Sequence, residues 1–142
     1  MSSEKNMSEY YSKVNEKSYA EGQVTEYESQ NDILNEQIER LKMAKSKIQT
    51  EKSTFAAVKS STNSVINSGY EWKGDTYDTF SDDGSTLSDD CKYFYNAIDD
   101  VVDDINYKIR DLQNQIYDNE GLIGWFKSRI NDLWTEIENF FN

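Results

Sequence analysis

The chain has 142 residues, enough for one domain, and is 36% hydrophobic against 30% charged with a mean hydropathy of -0.89. Nineteen aromatic side chains (ten Tyr, six Phe, three Trp) argue against a wholly disordered chain, so an elongated helical protein with a seam for a core is expected. A net charge of -12 with no basic patch excludes nucleic-acid binding and disfavours an anionic membrane surface, and the absence of His with a single Cys excludes an intrachain disulfide, His- or Cys-built metal sites and His-based catalysis.

The first segment, residues 1–26, is polar and rich in Ser, Glu and Tyr. Tyr10, Tyr11 and Val14 support one helical turn and no more, and Gly22 interrupts, so a frayed or loosely docked helix is expected there. The start, "MSSEKNMSEYYSKVNEK", lacks the apolar stretch of a secretory signal, and no apolar run approaches the ~20 residues that span a bilayer. The sequence thus predicts a cytoplasmic protein without membrane insertion, any export proceeding without a cleavable leader.

There is no proline anywhere, which suits long helices. From Ile33 to Ile66 the residues Leu34, Ile38, Leu41, Ile48, Phe55, Thr62 and Ile66 recur at threes, fours and sevens, with Ala44 and Val58 beside the gaps. That is one face of a helix, close to a heptad seam and weakened where Lys45 and Lys52 occupy or flank its rungs. A second run passes through Tyr77, Phe80, Gly84, Leu87, Cys91, Phe94, Ile98, Val101, Ile105, Ile109, Leu112 and Ile116. Tyr95 and Val102 widen this stripe, so contact with more than one neighbouring helix is expected. Cys91 falls on the stripe as a small packing residue, and Asp83, Asp90, Asp100 and Asp104 form a solvated opposite face.

Two runs of matched length, each about 60 Å at 1.5 Å per residue, pack antiparallel only if the chain turns tightly between them. "INSGYEWKGDTYDTF" supplies that turn near residues 68–75. Gly69 and Gly74 accept positive φ, Asp75 or Thr76 caps the second helix, and Trp72, beside Lys73 and within reach of Phe80, plugs the wedge. "NEGLIG" then breaks the pattern at Gly121 and Gly124, leaving residues 121–142 as a separate amphipathic helix. Its apolar side is Trp125, Phe126, Ile130, Leu133, Trp134, Ile137 and Phe140, at the i, i+3, i+4, i+7 spacing by which helices enter partner grooves. Lys127 and Arg129 against Asp132, Glu136 and Glu138 sum to -1, which favours a protein groove over a membrane surface. The expected architecture is all-α: a polar segment (1–26), an elongated antiparallel helical hairpin (27–120) with a Trp-X-Gly turn, and an additional C-terminal amphipathic helix (121–142).

A helical hairpin with Trp-X-Gly at its bend resembles the WXG superfamily of small secreted helical proteins. The extended stretch "YEWKGDTYDTF", followed by "YFYNAIDDVVDDINYKI" and the tail "GLIGWFKSRINDLWTEIENF", is more similar still to the YwqH-like family. Members of that family occur in low-GC Gram-positive bacteria beside LXG polymorphic toxins. The resemblance covers residues 30 to 142. It implies a small helical targeting partner that binds the N-terminal LXG helices of a toxin and accompanies it to the type VII secretion machinery, together with a second small WXG-like helical protein. Substrates of that system carry an aromatic-xxx-acidic export motif, matched here by Tyr95 with Asp99 and by Tyr107 with Asp111. A different class of function, a self-assembling structural coiled coil without an export role, fits the same heptad pattern.

No catalytic site or cofactor is expected: without His the remaining option is a carboxylate pair, and the many carboxylates lie on solvated faces without a pocket. In "TFSDDGSTLSDD", alignment of Gly84 with the turn of a calcium loop puts Thr79 and Ser81 where acids are wanted, so no metal site is expected.

Overall fold

The computed structural model describes the backbone of residues 2–68 and 75–142 and the side chains of residues 6–65, 78–79 and 81–142. Two helices account for nearly all of it: α1, Ser2–Ser68, and α2, Asp75–Glu138. Among the described residues there is no strand. The helix ends bracket the segment 69–74, where the turn was expected. The turn residues Gly69, Trp72, Lys73 and Gly74 lie outside the described residues, as does the side chain of Phe80 on α2.

The chain divides into two compact units, Met1–Glu39 with Arg110–Asn142, and Arg40–Ile109. In the first, α1 and α2 run antiparallel. Lys13 pairs with Glu136, Glu16 with Arg129 and Glu28 with Lys127, so residue numbers rise on one helix as they fall on the other. Its α1 seam takes Tyr10, Lys17, Val24, Asn31 and Ile38 at one heptad position and Lys13, Ala20, Tyr27 and Leu34 at the other, all buried or half-buried. From α2 it takes Ile116, Ile123, Ile130 and Ile137, and between them Leu112, Asn119, Phe126, Leu133 and Phe140.

Two expectations are corrected by this unit. Residues 2–26 are not a segment apart: they are part of α1, and Ala20 and Val24 belong to the buried core. The seam is built there from Ala and from Lys and Tyr, whose apolar bodies cover the interface while their polar ends reach water. Residues 121–142 are not a separate helix either, because α2 runs unbroken through Gly121 and Gly124 to Glu138. A glycine in a helix costs roughly 0.5–1 kcal/mol relative to alanine. Against that, the heptad ladder of isoleucines at 116, 123, 130 and 137 passes straight across the two glycines, each rung burying apolar surface of roughly 1–3 kcal/mol. The ladder wins.

Both glycines face open space, with nothing within 4 Å of where a Cβ would stand. Gly121→Ala and Gly124→Ala are therefore each expected to stabilise the protein by about 0.5–1 kcal/mol, read as a higher thermal midpoint. A hinge at these positions would give the opposite sign.

The second unit is also an antiparallel pair. Phe55 packs against Phe94 and Tyr95, with ring centroids 4.8 and 5.4 Å apart, and Lys52 pairs with Asp99. Its α1 seam alternates Leu41, Ile48, Phe55 and Thr62 with Lys45, Lys52 and Lys59, and α2 answers with Gly84, Ser88, Cys91, Tyr95, Ile98, Val102, Ile105 and Ile109. Cys91 is a buried free thiol on the seam, as expected. Leu87, Phe94 and Val101, by contrast, are exposed at the rim of the packed stripe, Phe94 while still touching Phe55. They sit one residue before Ser88, Tyr95 and Val102, and the small or polar residues at 84 and 88 disguise which seven-residue row is the inner one.

Candidate interaction surface

In the first unit, the two flanks of the seam are closed by ion pairs. Arg129 straddles Glu16, its Nε donating to Oε1 at 2.8 Å and its Nη2 to Oε2 at 3.1 Å. Lys13 Nζ lies 2.8 Å from Glu136, which is 4.0 Å from Arg129 Nη1, while Lys127 reaches Glu28 at 3.5 Å on the other flank. A fork-to-fork Arg–carboxylate contact fixes orientation as well as charge.

The Arg129 guanidinium, through its hydrogen bonds, holds the Glu16 carboxyl below its ordinary value, and Lys13 does the same for Glu136. Arg129 is pushed up by the same Glu16 contact. A carboxyl whose pKa is lower folded than unfolded stabilises the fold above its unfolded value and loses that contribution as pH falls through the folded one. The window therefore lies at and below about pH 4.5. Because these groups are exposed, the effect is small. Relative to Glu16→Gln, the native chain is expected to hold a stability advantage at pH 6 that vanishes by pH 3, measured by denaturant midpoints at low salt. An advantage that persists at pH 3 would assign it to packing.

The tail residues expected to meet a partner divide into two groups. Leu133 is fully buried and Phe126, Ile130, Ile137 and Phe140 are half-buried in the seam, so their apolar area is already spent on α1. Phe126 stacks on Tyr27 with centroids 6.3 Å apart, and Phe140 meets Tyr10 at 5.8 Å. Trp125 and Trp134 stay exposed, at 61% and 51%. Trp134 carries the Lys17 ammonium 5.0 Å from its ring centroid, and Trp125 packs edge-on against Phe126. The seam assignment of Phe126, Leu133 and Phe140 was hidden because their α1 partners are Tyr, Ala and Lys. Continuing the spacing of Leu34 and Leu41 backwards to Tyr27, Ala20 and Lys13 would have found it.

Both aromatic-xxx-acidic matches lie on α2. Tyr95 is half-buried beside Phe55 and between the ammonium groups of Lys52 and Lys59, 5.6 and 5.3 Å from its centroid, while Asp99 takes Lys52. Tyr107 and Asp111 are exposed. The stretch weighed as a calcium loop is helix, and Gly84 within it is buried. Among the described residues no three His, Cys, Asp or Glu gather around a common metal position, and no helix is long and apolar enough to cross a membrane. A surface groove of about 270 Å³ lined by Gln30, Ile33, Leu34, Gln115, Asp118 and Asn119 is smaller than most small-molecule sites and offers one ionisable group.

What this geometry presents is helix surface: exposed aromatics and aliphatics on two long packed helices, flanked by charge. It defines an all-helical protein of the two-helix, heptad-packed kind. The YwqH-like family model matches residues 15–135, and the chain belongs to the YwqH-like family. No curated protein and no solved structure matches the chain.

Proposed function

We propose that this protein is a non-enzymatic helical adaptor that binds the N-terminal helical domain of an LXG toxin and promotes its export by the type VII secretion system. The observation that carries the reading is membership of the YwqH-like family across residues 15–135, on a chain of two packed helices that leaves large apolar side chains in water. Leaving such side chains solvated forgoes roughly 1.5–3 kcal/mol each, which a helical partner would recover. In this reading the two helices form one hairpin closed by the Trp72-Lys73-Gly74 turn, and a second small WXG-like protein joins the complex. Of the two candidate export motifs, Tyr107 with Asp111 is the one whose side chains are exposed, and it is the better placed to meet the secretion machinery.

The test is co-expression of the full chain with the LXG toxin and the second small helical protein encoded beside its gene, followed by affinity purification and an export assay in a deletion strain. A stable complex and toxin export that needs this chain are expected. A chain that forms homo-oligomers, ignores both neighbours and leaves export unchanged when deleted would instead be a self-assembling structural coiled coil.

A further inference from the structure

The two flanks of an antiparallel helical pair are ordinarily lined by charge, as in the first unit, where Glu16 meets Arg129 and Glu28 meets Lys127. The second unit departs from this on one side. Its polar flank carries Lys42, Gln49, Ala56 and Asn63 from α1 and Ser85, Lys92, Asp99 and Asn106 from α2. The other flank has Ala44, Glu51, Val58 and Val65 on α1 and Leu87, Phe94 and Val101 on α2, with Val58, Leu87, Phe94 and Val101 exposed by 56%, 45%, 48% and 46%. The three α2 residues are seven apart and so stand in one row. The antiparallel register that sets Phe55 against Phe94 brings Val58 level with that row.

Next outward on α2 from the same row, again seven or fourteen apart, stand Asp83, Asp90 and Asp104, all exposed. The outer α1 row at this level is Lys47, Thr54 and Ser61. The strip is therefore largely apolar, with Glu51 as its one acid on the α1 side and an acidic rail along its α2 edge. We infer that this strip of the second unit docks an amphipathic helix with an apolar stripe edged by Lys or Arg. An exposed apolar row with a one-signed border marks a helix-docking face, and the border sets the sign of what fits. A second copy of this chain is a poor occupant, since it brings its own net charge of -12. The inference rests on the adaptor reading for there being a helical partner at all, and it adds where that partner lies and what it carries.

The full-length protein is titrated by fluorescence anisotropy, at physiological salt, with three synthetic three-heptad peptides. One has a leucine stripe edged by lysines, one has glutamates in place of the lysines, and one has the first peptide's composition with the leucines scattered. The lysine-edged peptide is expected to bind at least tenfold more tightly than either control. Val101→Ser and Leu87→Ser are each expected to weaken it about tenfold, Asp90→Asn with Asp104→Asn several-fold, and Ala56→Ser on the polar flank not at all. Phe94 also touches Phe55, so Phe94→Ser is interpreted only where circular dichroism shows native helicity; the two aliphatic variants carry the test regardless. Equal binding of the scattered peptide, or full binding by Val101→Ser and Leu87→Ser, overturns the inference. So does self-association of the free protein that Val101→Ser abolishes, because a second copy then covers the strip. A negative titration removes the strip and leaves any toxin complex standing, whereas a positive one with no toxin complex removes the adaptor reading.

Discussion

Leu133→Ala is expected to cost about 2–3 kcal/mol of stability, among the largest losses available from a single truncation in this chain. Among the described residues Leu133 is the one large side chain with no exposed surface at all. Register sets it level with Lys17 and Ala20 of α1, where Lys17 leans to Glu21 and to the Trp134 ring and Ala20 is itself buried. Ala20 has no bulk with which to fill a vacated site. Core Leu→Ala changes span roughly 2–5 kcal/mol, and a seam between two helices can admit water at its edges, which sets the lower half of that range. Leu122→Ala, an exposed position on the same helix, is expected to change stability by no more than about 0.5 kcal/mol. Urea midpoints for the two variants decide it, and equal losses would mean that residues 122–138 do not pack on α1 as described.

The second large effect concerns a polar contact inside the seam. Asn119 donates its side-chain N–H to the Asn31 carbonyl oxygen at 2.9 Å, and both residues occupy inner heptad positions. Asn119→Ala is expected to cost about 1–2 kcal/mol, since it leaves a half-buried amide without its partner as well as removing a hydrogen bond. The double change Asn31→Leu with Asn119→Leu is expected to be more stable than either single alanine variant and than the native chain, because it completes an apolar seam. Its cost is specificity: an amide pair satisfied at one alignment penalises every other, and leucines accept shifted and intermolecular pairings. Sedimentation equilibrium should show the double variant associating more strongly than the native chain. A double variant whose association equals that of the native chain would mean that ion pairs such as Glu16–Arg129 set the register alone.

Much of the fold was legible in the sequence, and the residues show where legibility stopped. Leu34, Leu41, Ile48, Phe55 and Thr62 are inner-face residues of α1, and Cys91, Ile98, Ile105, Ile109, Leu112 and Ile116 of α2, because large apolar residues recurring at threes and fours mark the packed side of a helix. The helix ends at Ser68 and Asp75 bracket the stretch where Gly69 and Gly74 suggested a turn. The first 26 residues were obscure because Lys13, Lys17 and Ala20 pack through methylenes and a methyl group, which hydropathy hardly registers. Gly121 and Gly124 suggested a break because intrinsic propensity was weighed without the isoleucine ladder that overrides it. The tail's periodicity marks an apolar face without showing what covers it: Phe126, Ile130, Leu133, Ile137 and Phe140 lie on the seam with α1, while Trp125 and Trp134 are exposed.

The lysines at the inner positions of the second unit have a consequence for how the molecule opens. Lys45, Lys52 and Lys59 stand where Val24 and Ile38 stand in the first unit, and beyond Lys59 the α2 side of the seam thins to Ser88 and Gly84. An ammonium over a tyrosine ring, as Lys52 and Lys59 make with Tyr95, returns part of what an aliphatic rung would give. Amide protons of residues 45–62 and 84–102 should accordingly exchange with solvent sooner than those of residues 20–38 and 112–133, through local separations short of global unfolding. The zipper is thus weakest beside Phe94 and Val101, where prying it apart would offer another helix the inner rungs Phe55, Tyr95 and Ile98 as well.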